Sequence, residues 1–162
     1  MTEVQAGDLI TVQADEFDVG AEIAALSCAN SDQSAGGEIG AVASFVGYVR
    51  ADGGVTALEL EHYPGMTEAS IAAIVAEARA RWPLLGVRVI HRIGRLPVGA
   101  GIVLIAVASA HRGAAFSACE FIMDYLKTRA PFWKKAFTAQ GGQWVEARVS
   151  DDAAATRWQS GQ

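Results

Sequence analysis

The run from Ile102 to Ala108 has no polar side chain. A half-buried strand sends alternate residues to water. This one has no face to give, so both of its sides must be covered. It is far too short to cross a bilayer. A chain of 162 residues has room for one domain with a real core, taken as residues 1–150, followed by a C-terminal tail over 151–162.

Around that strand the periodicities give an order of elements. Residues 8–13 predict a first strand, and Phe17, Ile23 and Leu26 a short helix capped by Asp18. Ala29 to Gly37 is small and polar, a loop. Gly40 to Arg50 predicts a strand that turns at Gly53-Gly54. It returns as Val55 to His62, with Leu58 and Leu60 on one face and Glu59 and Glu61 on the other. Ile71, Ile74, Val75, Ala78 and Trp82 recur at helical spacing from Thr67 until Pro83. Val87 to Ile93 and Ile102 to Ser109 are further strands joined by Pro97-Val98-Gly99. Ala114 to Arg129 is a second long helix with Phe116, Cys119, Met123 and Leu126 along one stripe. After Pro131, Ala136 to Thr138 and Trp144 to Val149 are expected to form a hairpin around Gly141-Gly142, followed by a tail from Ser150 that frays unless Trp158 docks. The fold class is α+β: a mostly antiparallel sheet, two long helices and a small extra β subdomain.

The net charge of −5 disfavours a general nucleic-acid surface. An apolar fraction of 51% and a mean hydropathy of +0.22 suggest a buried subunit interface rather than a membrane. Met1-Thr2-Glu3-Val4 has neither a basic nor an apolar leader region, so the cytoplasm is the expected compartment. Cys28 and Cys119 form no disulfide framework and no metal-ligand pattern, and neither is given a catalytic role.

Every lysine of the chain, Lys127, Lys134 and Lys135, falls between residues 127 and 135, beside Arg129, Pro131, Phe132 and Trp133. Lysine is a compact charge whose proton affinity falls readily on burial, which suits proton transfer or a reactive carbonyl. Arg50 ends a strand beside Gly47, whose missing side chain lets something approach the backbone. It either binds an anion or pairs with Glu59 or Glu61 across the hairpin. His111-Arg112-Gly113 opens the second long helix, where free N–H groups favour an anion. A continuous helix sets Arg112 and Lys127 about 22 Å apart. If both serve one pocket, a second subunit must supply one of them.

The phrases Phe45-Val46-Gly47-Tyr48-Val49-Arg50, Leu60-Glu61-His62-Tyr63-Pro64-Gly65-Met66, His91-Arg92-Ile93-Gly94, Ser109-Ala110-His111-Arg112 and Lys127-Thr128-Arg129-Ala130-Pro131-Phe132-Trp133-Lys134-Lys135 occur in order, with Trp144-Val145-Glu146-Ala147 after them. Together they resemble the large, catalytic subunit family of molybdopterin synthase over residues 8 to 150. The resemblance implies an α/β hammerhead fold and a sulfurtransferase. Its substrate would be cyclic pyranopterin monophosphate, converted to the dithiolene of molybdopterin. Sulfur would arrive as a thiocarboxylate on the C-terminal Gly-Gly of a small ubiquitin-like subunit. A homodimer would form the core of a heterotetramer, without metal or cofactor, the pterin being substrate and product. Lys127 and Lys134 match the family's catalytic lysines. Tyr48, Val49, Arg50, His111, Arg112, Lys127, Lys134, Lys135 and Ala136 match substrate-binding positions. Ala136 stands where the family usually carries an acid, which removes a partner for Lys134 or Lys135. Phe132 and Trp133 either wall a channel for the tail or belong to the core. The competing expectation is a non-catalytic paralogue that binds a ubiquitin-like partner or a phosphorylated ligand.

Overall fold

A computed structural model describes residues 7–28, 37–146 and 148–160. The expected 29–37 loop, apart from Gly37, and the chain start Met1 to Val4 lie outside the described residues. Two four-stranded sheets form the frame. The central sheet has the order β1-β4-β6-β2, from β1 (Leu9–Gln13), β2 (Ala41–Tyr48), β4 (Leu84–Arg92) and β6 (Gly101–Ser109). The second has the order β5-β3-β7-β8, from β3 (Ala57–His62), β5 (Gly94–Pro97), β7 (Phe132–Thr138) and β8 (Gly141–Val145). All pairings are antiparallel except β1 with β4.

The apolar strand β6 is covered on both sides, as its composition requires. Val103, Ile105 and Val107 face α2 (Met66–Arg81) and α3 (Arg112–Arg129), packing with Ile71, Ile74, Ala118 and Ile122. On the opposite face Ala106 and Ala108 meet Leu26 of α1 (Val19–Cys28). Alanines there let the short helix sit close. Its start is capped as expected, with the Ala21 N–H donating to Asp18 Oδ1 at 2.9 Å. Cys119 is buried within the first of these layers, whereas Phe116 at the head of its stripe is 65% exposed, so the apolar stripe begins a turn late. No helix among the described residues is long and apolar enough to cross a membrane.

Several expectations are corrected. Gly40–Arg50 and Val55–His62 do not form a hairpin: β2 pairs with β6, and β3 pairs with β5 and β7. Gly53 and Gly54 do reverse the chain, at φ 64° and 76°, but they carry it from one sheet to the other. At Gly47 the neighbour is Val103 Cγ1, 3.0 Å from where a Cβ would stand, so the glycine serves packing between β2 and β6. The segment between β4 and β6 contains β5, too short to show an alternating pattern. In the last hairpin Thr138 pairs with Gly141, so Ala139-Gln140 make the turn. Gly142 flanks it because a Cβ would lie 2.6 Å from Lys135 Cε.

The tail does not fray. It forms α4 (Val149–Thr156) and a 3-10 turn, Arg157–Ser160. Trp158 docks as expected: its Nε1–H donates to Asp124 Oδ2 at 2.7 Å, and its ring meets Trp82 edge-on at 5.7 Å. Arg157 pairs with Glu120 and Asp124 on α3.

Two joints position the chain's basic residues. The first is the seam between the sheets, where Val49, Leu60 and Leu96 form a small core. Val49 N–H donates to Ala100 O at 3.0 Å and its carbonyl accepts from Gly99 N–H at 2.9 Å. The second is the end of α3. Ala130 precedes Pro131 and is therefore excluded from helical geometry; it adopts φ −85°, ψ 127°, and the chain enters β7 directly. Thr67, fully buried at the start of α2, clamps this joint. Its hydroxyl accepts from Tyr63 N–H and donates to Pro131 O, both at 3.0 Å. Thr67→Val keeps the shape and leaves both partners unpaired. It should lower unfolding stability by about 2 kcal/mol in urea titration; an unchanged midpoint would show the clamp to be idle.

Candidate active site

The sharp exit from α3 doubles the chain back on itself. Lys127 lies in the last turn of the helix, and Lys134 is three residues beyond the proline on β7. Arg50 follows β2 where the seam holds Val49. Arg148 precedes α4, just beyond Val145, which pairs with Lys134 in the β7–β8 ladder. The other three bear on Lys134. Lys134 is half-buried, and its proton affinity is held below the usual lysine range by that burial first. The charges of Lys127, Arg148 and Arg50 push the same way, with Asp151 opposing them. Lys127 and Arg50 are exposed. Among the described residues neither Lys127 nor Lys134 has a carboxylate within ion-pair distance. Arg50 does not pair with Glu59 or Glu61; Asp52 meets it at 3.0 Å, with both side chains about two-thirds exposed to solvent. Such a pair is worth little and is readily exchanged for a stronger anion.

Beneath the lysines lies a residue whose role the sequence did not single out. His91 is 8% exposed on β4 and stacks on Phe132, centroids 3.7 Å apart and planes 18° from parallel. Its Nδ1 lies 2.8 Å from the Arg92 carbonyl, which only accepts, so Nδ1 carries the proton and Nε2 the lone pair. Burial, above all, pushes the imidazole down to about 4. The backbone hydrogen bond opposes the shift, and Lys127, Lys134 and His62 add to it. His62 in turn stands 3.7 Å from Glu68. The signal for His91 was its place in the alternation Val87, Val89, His91, the buried face of β4; the same count gave no hint that two ammonium groups lie above it.

The remaining predicted residues are placed elsewhere. Lys135 projects to the opposite face of β7 from Lys134, lying over Phe137 and Trp144, each about 5.5 Å away. Ala136 shares the face of Lys134, two residues along. Tyr48 is 56% exposed beside a cavity of about 200 Å³, also lined by Glu16, Phe17, Arg92 and Gly101 but by none of the lysines. Val49 contributes a buried side chain to the seam. Trp133 is 48% exposed on the outer face with Lys135, whereas Phe132 is half-buried under His91. His111 and Arg112 are exposed at the far end of α3, a full helix length from Lys127, as the spacing required. Arg129 belongs to a structural pair, bidentate to Glu77 at 2.6 and 3.0 Å. No three His, Cys, Asp or Glu side chains among the described residues are grouped to hold a metal ion. The arrangement is a group of cations around a half-buried amine, suited to receiving negative charge.

Comparison with known proteins shows the family. Residues 12–129 match the family described as MoaE protein. The chain is 59% identical over 152 residues to the molybdopterin synthase catalytic subunit of Ralstonia nicotianae, covering 92% of this chain and 83% of that one. A solved structure of molybdopterin cofactor biosynthesis protein E from Burkholderia multivorans is 53% identical with a TM-score of 0.78, covering 94% and 97% of the two chains. The crystal structure of molybdopterin synthase from Staphylococcus aureus is 30% identical with a TM-score of 0.69, covering 83% and 95%.

Two measurements test the titrating groups. The unfolded chain protonates His91 near pH 6.5, whereas the native ring resists until about 4, so this group's contribution is full above 6.5 and is lost as pH falls toward 4. His91→Phe should therefore lose about 3 kcal/mol less stability than wild type between pH 7 and pH 4, by denaturant titration at each pH. Equal losses would place the ring in contact with bulk water. Burial also pushes the Cys119 thiol up to about 11. At pH 8 a thiol reagent should modify the exposed Cys28 and reach Cys119 only after unfolding; native-state labelling of Cys119 would contradict its placement.

Proposed function

The chain belongs to the MoaE protein family, and from that premise we infer what its cation site does. The protein is the catalytic subunit of molybdopterin synthase, a sulfurtransferase of molybdenum cofactor biosynthesis. It takes sulfur from the C-terminal thiocarboxylate of a small ubiquitin-like subunit and delivers it to cyclic pyranopterin monophosphate, building the dithiolene. The observation that carries the assignment of roles is the convergence of Arg50, Lys127, Lys134 and Arg148 on one half-buried spot.

Both reactants bring negative charge: a cyclic phosphate on the pterin and a thiocarboxylate on the partner's tail. Placing two anions together in water is unfavourable, and preorganised cations offset that repulsion before any bond changes. In our reading Lys127 meets the thiocarboxylate as its sulfur attacks the pterin side chain. Arg50 holds the phosphate, with Tyr48 and Val49 fixing the strand end that carries it. Lys134, whose proton affinity is already lowered, stabilises the charge that develops on the opened phosphate or on the oxyanion. Water then hydrolyses the thioester, leaving one sulfur on the pterin and a carboxylate on the partner, and a second thiocarboxylate repeats the transfer to complete the dithiolene. We assign no resident cofactor or metal, and we place the protein in the cytoplasm.

His111 and Arg112 are too far along α3 to serve the same pterin from the same chain. We assign them to the site of a second copy, so that each pocket draws cations from both subunits of a homodimer, with a small subunit at each end. The backbone of residues 134–136 lines the pocket; Lys135 and Ala136 act through that strand.

Mixing thiocarboxylated small subunit with precursor and reading dithiolene as oxidised pterin fluorescence tests the assignment. Wild type should make product, and Lys127→Ala should lose about 10²–10³-fold while still binding its partner. A wild-type rate in that variant refutes the role of Lys127, and an inactive wild type supports a non-catalytic paralogue instead. The shared pocket has its own test. Lys127→Ala and Arg112→Ala, each inactive alone, should recover about one quarter of wild-type activity when unfolded, mixed and refolded together, because half the dimers are mixed and each has one intact site. No recovery would mean that one chain supplies both residues.

A further inference from the structure

Among the cations of the site, His91 brings a different capacity: an acceptor. Its ring is fixed from two sides, by stacking on Phe132 and by the Nδ1–H bond to the Arg92 carbonyl. That bond leaves Nε2 as a lone pair. No buried side-chain nitrogen or oxygen among the described residues lacks a hydrogen-bond partner, so Nε2, which has no partner among those residues, is not sealed off and remains open to an incoming donor. Three titratable groups bear on it from three elements: Lys127 from the end of α3, Lys134 from β7 and His62 from β3. Phe132, which holds the ring, lies on the same face of β7 as Lys134. The Thr67 clamp on Pro131 fixes the joint that carries both Lys127 and Phe132.

An ammonium group has three donors and a flexible stem, and nothing in a pocket of cations tells it where to point. We propose that His91 is a positioning residue for Lys127: as the partner's tail enters, its free Nε2 accepts one ammonium hydrogen and so aims the other two at the incoming thiocarboxylate. The ring stays neutral, so it adds no charge to repel the lysines and takes no proton from them. Burial and the surrounding positive charge both favour that neutral state, and the low proton affinity of the imidazole agrees. This rests on the sulfur-transfer reading and adds a residue to it.

The test uses the full complex with thiocarboxylated small subunit. His91→Phe keeps the stack on Phe132 but has no acceptor, and should lower kcat by about 10–100-fold with little change in partner affinity. His91→Gln puts a carboxamide oxygen near the Nε2 position and should restore most of the rate. A role limited to packing predicts the reverse order, with Phe better than Gln, and would overturn the proposal. If His91→Phe does not fold, long-range 1H–15N spectra of the wild type decide. A ring protonated at Nδ1 alone from pH 6 to 8 supports the proposal, and one protonated at Nε2 overturns it. Should wild type make no dithiolene, the functional reading fails; should wild type and His91→Phe be equally active, only the positioning role does.

Discussion

A proline placed after a helix decides where the chemistry is. Pro131 bars Ala130 from helical geometry, and with no loop to spend the chain turns from α3 straight into β7. Without that reversal Lys127 and Lys134 would be two turns apart on one rod, exposed and unrelated. With it they face a common space, floored by His91 and Phe132. The reversal is held by polar contacts as well as by sterics: the Thr67 hydroxyl joins the start of α2 to the Pro131 carbonyl. The two sheets then meet at the Val49–Leu60–Leu96 seam, which brings the end of β2, with Arg50, toward the same place.

The electrostatics divide the molecule in two. Away from the site four arginines are matched to carboxylates: Arg79 to Asp8, Arg88 to Glu22, Arg129 to Glu77, Arg157 to Glu120 and Asp124. At the site the cations face one another, and Lys134 bears the consequence in a weakened hold on its proton. Such an arrangement is unfavourable in the free protein and is relieved when an anion arrives. The excess positive charge, only partly offset by Asp52 and Asp151, sits at the ends of well-packed elements, so the rest of the fold supplies the stability that the site gives up.

How much of this was legible depended on the range of the interaction. The β6 run announced a strand covered on both faces, and the helical spacing of α2 and α3 with their closing prolines gave two helices within a residue or two. Those are local patterns that burial enforces. The partner of a strand is a choice made at long range. Gly53-Gly54 rightly signalled a reversal, and the inference that β2 and β3 therefore pair failed because each finds a better neighbour elsewhere. Four-residue β5 is too short for any period to appear. At the site, the lysine cluster and the helix length were plain. That Lys134 and Lys135 part company follows from the period of two in a strand, once β7 is seen to begin at Phe132 rather than after the lysines. His91 was legible only as a buried residue, since the chain contains no local trace of what is stacked above it.

The docking of the C-terminal segment has an optical consequence. Trp82 and Trp158 meet edge to face 5.7 Å apart against Phe121, whereas Trp133 and Trp144 stand exposed on the outer face of the second sheet. The indoles thus form two populations with different surroundings: one shielded and close enough to couple, the other bathed in water. Intrinsic emission from this one chain separates by colour into a signal from the α3–α4 contact and a signal from the outer sheet surface around Lys135. The molecule carries, without any dye, independent gauges of its tail and of its second sheet.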